Sequence, residues 1–168
     1  MINSKLEKVI NEQINAEMYS AYLYLSMSAY LESINLPGFA TWMRVQFEEE
    51  QFHAMRFFTF LNERGGRVVL ESIEKPQIEW KNVIEIFEQT LEHERHVTAL
   101  LNNIADIAED EKDRPTRNLM VWFIDEQVEE ESSAEKIINE LKLINGEGHG
   151  MLMLDRELGA RVFTPPVI

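Results

Sequence analysis

The segment Glu48-Glu49-Glu50-Gln51-Phe52-His53 (residues 48–53) places a carboxylate and an imidazole three residues apart, at Glu50 and His53. Residues at this spacing share one face of an α-helix, so the two side chains can hold the same cation. A second acidic segment, residues 125–131 (Asp-Glu-Gln-Val-Glu-Glu-Glu), repeats the spacing with Gln127 and Glu130. Either segment alone is weak evidence, and together they are informative only if the fold brings them side by side.

The chain around these segments has the pattern of four long helices. Apolar periodicity, with Pro and Gly between the periodic stretches, predicts helices at about 4–33, 39–64, 81–111 and 116–145. We expect Ser4 and Glu7 to start the first helix as a capping box. A short fifth helix is predicted at about 149–160, followed by an extended tail at 161–168.

The predicted helices are equal in length, at about 40 Å each, and together form a bundle. Short loops make the first and second helices antiparallel neighbours, and the third and fourth likewise. The connection Arg67–Trp80, about 14 residues long, can run most of a helix length, so the second and third helices are parallel. We predict an all-α fold, a four-helix bundle at about 4–145 with one long crossover (up-down-down-up), with the fifth helix outside it.

Bulk composition limits the classes of protein to consider. The chain has 168 residues, no cysteine and a formal net charge of −14. One domain spanning 1–168 is expected, and thiolate metal sites are excluded. The negative charge argues against a nucleic acid or an anionic membrane as partner, although acidic residues alone more often serve solubility than cation binding. Without a signal-like N-terminus or an apolar run of about 18 residues, a cytoplasmic protein is expected.

Each of the four long helices carries a glutamate inside its apolar stripe. These residues are Glu17, Glu50, Glu94 and Glu130. His53 lies at the edge of the second stripe, and Gln127 lies beside Glu130 in the fourth. All four glutamates fall about 11 to 14 residues into their helices, so the bundle places them at one height. The sequence therefore predicts a carboxylate cluster in the middle of the core.

Buried carboxylates need compensation, because desolvating one ion costs about several kcal/mol. Protonation would leave four acids in need of hydrogen-bond partners, and none of the stripes carries a Lys or Arg at the same depth. Metal cations are the remaining solution, and they also explain the imidazole. Four Glu, one His and one Gln suit two divalent cations, with iron or manganese favoured by the oxygen-rich donors.

Motifs along the whole chain resemble the ferritin-like di-iron proteins. The general pattern is one Glu on each of two helices and Glu-x-x-His on the other two. Glu50-x-x-His53 matches it, whereas Gln127-x-x-Glu130 departs from it in the way typical of non-haem ferritins. The similarity extends to Asn15-Ala16-Glu17 with Tyr24, Trp42-Met43, Glu63-Arg64-Gly65-Gly66 and Trp122-Phe123. The chain is identified as similar to the bacterial or archaeal type of non-haem ferritin.

This resemblance implies roles for the candidate residues. Glu17, Glu50 and His53 would hold a first iron, and Glu94 and Glu130 a second, with Glu50 bridging and Gln127 close by. A third iron site is implied at Glu49, Glu126 and Glu129. Tyr24 would hydrogen-bond a ligand carboxylate. On spacing alone, the acids of the third site are as compatible with a solvated face, and Tyr24 with simple packing.

The resemblance also implies an activity and an assembly. Such proteins are ferroxidases, which oxidise Fe(II) with O₂ or peroxide and store hydrated ferric oxide inside a 24-subunit shell. No haem is expected, because Gln51 stands where the haem-binding bacterioferritins have methionine. Rubrerythrins need cysteines, which this chain lacks. Two alternatives remain open: a di-iron or di-manganese oxidase that stores nothing, and a structural helical bundle.

Apolar residues outside the main stripes predict an interface between subunits. Tyr22, Leu23 and Met27 form a second apolar flank on the first helix, and the fifth helix is also apolar. A monomer would expose these surfaces, so a homo-oligomer is expected. His93, His96 and His149 are expected to be solvated or at an interface.

Overall fold

The computed structural model describes residues 1–165, and over this range it is helical without a strand. The helices are α1 (Ser4–Ser33), α2 (Pro37–Glu63), α3 (Val83–Asp110), α4 (Arg114–Leu143) and α5 (Gly148–Leu158). α2 and α4 begin two residues before their predicted starts, because Pro37 and Pro115 lie in their first turns. Proline fits there, since its fixed φ is helical and the missing N–H has no partner anyway. Residues 161–165 form neither helix nor strand, and the rest of the predicted tail, 166–168, lies outside the described residues.

Side-chain caps fix the beginnings of three helices. Asn3, not Ser4, is the N-cap of α1, and its side chain accepts the N–H of Lys5 at 2.8 Å. Asn82 and Asp113 cap α3 and α4 in the same way. The predicted capping box is therefore wrong: the Glu7 carboxylate accepts the backbone N–H of Arg67 at 3.0 Å instead.

The predicted up-down-down-up topology is confirmed. Ser28 of α1 donates to the carbonyl of Ala40 in α2, and Lys142 of α4 pairs with Glu88 of α3, as expected for two antiparallel hairpins. The crossover between α2 and α3 follows α1 along its length. Near one end Asn11 exchanges hydrogen bonds with Arg67 and Val69, and near the other the Tyr30 hydroxyl donates to the carbonyl of Trp80. The crossover therefore delivers α3 parallel to α2.

The hydrophobic core consists of two clusters, one at each end of the bundle. One cluster combines the second half of α1 with the first halves of α2 and α3, the second half of α4 and the apolar side of α5. The other combines the opposite halves, and within it the rings of Phe57 and Phe123 stack at 4.1 Å. The four buried glutamates lie between the clusters, together with the buried side chains of Gln46, His53 and Gln127. The helices thus meet in a polar layer at mid-height.

The helix α5 packs on the N-terminal end of α2. The Asp155 carboxylate accepts the backbone N–H groups of Gly38 and Phe39 at 2.9 and 3.0 Å. The approach is so close that a side chain at position 38 would collide with the carbonyl of Asp155, which explains a glycine there. Leu36, the N-cap residue of α2, makes no side-chain hydrogen bond to the first turn. Asp155 of α5 supplies the capping oxygen instead.

The prediction for the second flank of α1 is partly wrong. Leu23 and Met27 are buried in the core, because α1 lies between α2, α3 and the crossover. The exposed apolar residues of this helix are Tyr22 and Leu25, and α5 exposes Leu152 and Met153. No helix in residues 1–165 has the length and apolar character that crossing a membrane requires.

Candidate metal centre

Three side chains from α1 and α2 converge in the polar layer. Potential ligand atoms of Glu17, Glu50 and His53 lie within 4.8 Å of one another, and all three residues are at most 4% exposed. The His53 ring is fixed by edge contacts with Trp122 and Phe123, at 5.5 and 5.6 Å between ring centroids. In residues 1–165 no other set of three His, Cys, Asp or Glu side chains is this close.

Two carboxylate oxygens of this group have no hydrogen-bond partner when both carboxyls are ionised. They are Oε2 of Glu17 and Oε2 of Glu50, both fully enclosed. His53 Nδ1 lies 3.5 Å from the Glu50 oxygen without forming a hydrogen bond. Buried polar atoms are rarely left unpaired, since each costs about 1–3 kcal/mol. Two such oxygens facing an imidazole nitrogen form a donor set suited to a cation.

Glu94 of α3 is completely buried and held by α1 and α4. The Tyr24 hydroxyl donates to its Oε1, and the Gln127 amide donates at 3.1 Å both to its Oε2 and to its backbone carbonyl. Both contacts connect residues that the sequence predicted for the site. Tyr24 therefore packs in the core and also hydrogen-bonds a candidate ligand.

Glu130 of α4 is held by Gln46 of α2. The Gln46 Nε2 group donates to Glu130 Oε2 at 2.7 Å, and Gln46 is fully buried. In the same way Gln13 donates to Glu17 Oε1 at 2.9 Å. The sequence analysis missed both amides. Each lies four residues before a candidate glutamate on the same helix face, and this spacing is the signal that would have identified them.

Burial makes ionisation of the central carboxyls unfavourable. It raises the pKa of Glu17 and Glu50 well above the usual range. The charge of Glu50 adds to the pKa shift of Glu17, and the charge of Glu94 adds to that of Glu50, whereas a hydrogen bond from Glu17 opposes the shift of Glu50. The pKa of Glu94 rises to about 8, mainly through burial and then through the charge of Glu130. In residues 1–165 none of the four glutamates forms an ion pair with Lys or Arg, as the sequence predicted. A bound cation would remove this cost.

The acids predicted for a third site lie at the edge of the layer. Glu49 and Glu126 are partly buried and Glu129 is exposed. Burial raises the pKa of Glu49 to about 7, with the Glu130 charge adding to the shift and Arg161 opposing it. Arg161 pairs with Glu49 at 2.6 Å. A basic residue thus does reach this region, from the segment after α5, and sequence periodicity could not indicate it.

His93 is partly buried and not freely solvated, and its predicted place at a subunit interface stays a prediction. Its Nε2 lies 2.8 Å from Ser20 Oγ, and its ring packs against Tyr19 and Tyr24 at 5.9 and 6.0 Å. Burial, together with the charge of His96, lowers the pKa of His93 to about 4. His93 is therefore a neutral packing partner of Tyr24. His96 and His149 are exposed.

Comparison with known proteins agrees with this arrangement. The model of the ferritin-like domain matches residues 7–144, which include all four central glutamates. The chain belongs to the ferritin family. It is 42% identical to a bacterial non-haem ferritin of Bacteroides fragilis, over 96% of this chain and all of the relative. It is 35% identical to one from Staphylococcus aureus, over 97% and 98%.

Solved ferritin structures from Archaeoglobus fulgidus have the same fold. An engineered closed form superposes with a TM-score of 0.96 at 49% identity, covering 98% of this chain and all of that one. An open-pore form superposes with a TM-score of 0.94 at 48% identity, covering 96% and 100%. The predicted family and fold are thereby confirmed. The assignment of individual ligands rests on the geometry described above.

Proposed function

We propose that this ferritin oxidises Fe(II) at the central cluster and stores the ferric product inside an oligomeric shell. The observation that supports it best is the pair of buried, unpartnered oxygens on Glu17 and Glu50 beside His53. In a purely structural bundle, four buried glutamates without a Lys or Arg partner would only cost stability, because each must either stay charged in the core or keep its proton up to an unusually high pH.

In this proposal Glu17, Glu50 and His53 bind the first Fe(II), and Glu94 and Glu130 bind the second, with Glu50 bridging. Tyr24 and Gln127 orient Glu94, while Gln46 orients Glu130. Because Gln127 is already committed to Glu94, it is a positioning residue more than a ligand. The second iron then has only carboxylate side-chain ligands, a weaker set that suits release of the product.

The electron balance of the reaction is simple. Two Fe(II) ions give one electron each to O₂, which takes up two protons from water and leaves as hydrogen peroxide. The two Fe(III) ions bind oxide and hydroxide from water, and the remaining protons go to the solvent. Peroxide can replace O₂ as the oxidant. Glu49, Glu126 and Glu129 bind a third iron at the edge of the layer, and because their oxygens do not converge in this structure as those of the Glu17, Glu50 and His53 group do, they must draw together to hold it.

Storage requires an enclosed space, which a single bundle lacks. We propose a 24-subunit homo-oligomeric shell, with the exposed apolar residues of α1, α4 and α5 buried between subunits. Tyr22, Val128 and Leu152 are each at least 50% exposed in the isolated chain. The acidic net charge of −14 suits an assembly that collects cations.

Aerobic addition of Fe(II) to metal-free protein tests the activity. Absorbance of Fe(III) should rise faster than in the protein-free blank, and Glu130→Ala should slow the rise at least about tenfold. Glu135→Ala, an exposed glutamate on the same helix, is the matched control and should leave the rate unchanged. No oxidation above the blank would contradict the proposal. Oxidation that stops at about two irons per chain, with no shell by light scattering, would indicate a non-storing oxidase.

A further inference from the structure

One guanidinium from the segment after α5 reaches three residues on a single face of α2. Arg161 donates through Nη1 to Gln46 Oε1 and through Nη2 to Glu49 Oε2, the latter at 2.6 Å. Its carbon Cζ lies 4.5 Å from the centre of the Trp42 ring. Only about a quarter of the Arg161 side chain is exposed. Hydrogen bonds, charge and ring contact therefore fix the guanidinium in one place.

The contact with Gln46 extends to the metal centre. Because Arg161 donates to the carbonyl oxygen of the amide, the NH₂ group of Gln46 points the other way, toward Glu130. Gln46 then donates to Glu130 Oε2 at 2.7 Å, which keeps that oxygen in place. A single amide thus connects Arg161 to a carboxylate of the central cluster.

We propose that Arg161 is the resident cation of the Glu49 carboxylate, and that a divalent cation binding at Glu49 displaces it from Glu49, Gln46 and Trp42. The inference rests on the proposed function in one respect, that Glu49 takes up metal. Arg161 occupies Oε2 of Glu49, and a metal cation bound by both oxygens of this carboxylate takes that position and repels the guanidinium, so Glu49 loses Arg161 when it chelates a divalent cation.

Displacement has a consequence for Glu130. Once Arg161 leaves, Gln46 is free to rotate its amide and release the Glu130 oxygen. Metal at the edge of the layer thereby loosens a carboxylate that holds metal inside it. Arg161 is a positioning residue in this scheme, and Asp155 keeps it within reach by anchoring α5 to α2.

Zn²⁺ titration of metal-free protein tests the displacement without any oxidation. In a protein with Trp80→Phe and Trp122→Phe, Trp42 is the sole tryptophan and its emission reports the guanidinium beside it. Zn²⁺ is used because its filled d shell gives no redox reaction. Calorimetry in parallel, on the protein that keeps all three tryptophans, counts the bound ions, and Glu49→Gln in that protein identifies the heat that belongs to Glu49.

The expected result is a change in Trp42 emission that accompanies the Glu49-dependent heat. At saturation the emission should match that of metal-free protein carrying Arg161→Met. In Arg161→Met itself Zn²⁺ should leave the emission unchanged, and the Glu49-dependent affinity should rise about two- to fivefold, as expected for loss of one partly exposed ion pair. Arg161→Lys keeps the positive charge but lacks the paired N–H groups of a guanidinium. The Glu49-dependent Zn²⁺ affinity of this variant should therefore stay near that of the unsubstituted protein.

Two results would overturn the inference while leaving the proposed function intact. One is Zn²⁺ binding at the central cluster with no heat that depends on Glu49. The other is Glu49-dependent binding with unchanged Trp42 emission, or with the same emission change in Arg161→Met. Failure of the proposed function differs from both, because it is shown by the aerobic assay, in which Fe(II) oxidation would not exceed the blank whatever Zn²⁺ does at Glu49.

Discussion

Replacement of Asp155 by alanine is expected to release α5 from the bundle. Asp155 is buried, and its carboxylate is the side-chain acceptor for the N–H groups of Gly38 and Phe39 at the start of α2. Both donors lie in buried residues, so water does not replace the lost acceptor without some opening of the structure. The substitution also removes a negative charge from the positive end of the α2 dipole.

The size of the effect follows from these contacts. Removing a capping side chain costs about 0.5–2 kcal/mol, and a hydrogen bond to a charged group is worth about 1.5–3 kcal/mol. Because the two bonds share one oxygen, we expect a total of about 2–4 kcal/mol for the docking of α5. This corresponds to an opening equilibrium about 30- to 1,000-fold more favourable.

Hydrogen exchange measured by mass spectrometry on the assembled protein checks this prediction. Peptides covering α5 and the first turn of α2 should exchange faster by that factor, whereas peptides from the middle of α3 should not change. Glu157→Ala, which removes an exposed acid from the same helix, is the matched control. Asp155→Asn keeps an acceptor oxygen without the charge, so its effect should be smaller. Unchanged exchange in Asp155→Ala would refute the capping role.

Two further predictions concern Tyr24 and Asp113. Tyr24→Phe should slow Fe(II) oxidation several-fold in stopped-flow measurements while the Zn²⁺ stoichiometry stays the same, because the phenol orients Glu94 but binds no metal; an unchanged rate would leave Tyr24 only a packing role. Asp113→Asn should cost about 1 kcal/mol of unfolding free energy at pH 7, because Arg64 donates two hydrogen bonds to this carboxylate and holds its pKa below the usual range. Since the folded pKa is the lower one, this contribution exists above about pH 4 and is lost as the pH falls further. The difference in denaturation midpoint between the two proteins should therefore shrink in acid; a difference that persists there would contradict the charge-based explanation.

The helix bundle could be predicted because the apolar residues of each helix recur at the helical period. Each stripe of apolar residues with a glutamate inside it identifies both a helix and the side that faces the core, and the length of the crossover decides the topology. The ends of the helices were less accurate. Pro115 lies in the first turn of α4, as expected from the sequence, but Pro37 was left outside α2 although proline is equally compatible with the first turn of that helix. Leu23 and Met27 were assigned to the surface because periodicity does not show how many neighbours cover a helix.

The candidate ligands could be predicted from the sequence, whereas the residues that hydrogen-bond to them could not. Glu17, Glu50, Glu94 and Glu130 stand out as acids in apolar stripes, but a buried glutamine such as Gln46 is less conspicuous in the same position. Arg161 lies outside every helix, so no periodicity places it. Its contact with Glu49 depends on the turn of the chain into α5 and on the docking of that helix by Asp155, which are tertiary events.

The two hydrophobic clusters and the polar layer between them have separate roles along the bundle axis: the clusters hold the helices together, and the layer carries the candidate metal ligands. Each cluster joins its own half of every long helix, so the pairing of the helices is specified twice, once at either end of the polar layer. Substitutions in the layer are therefore expected to change metal binding more than they change the fold. Substitution of a few metal-binding side chains in the layer changes which ion is bound and with what affinity, while the hydrophobic clusters at the two ends of the bundle stay the same. A scaffold of this kind can acquire new metal chemistry by substitution in one narrow zone.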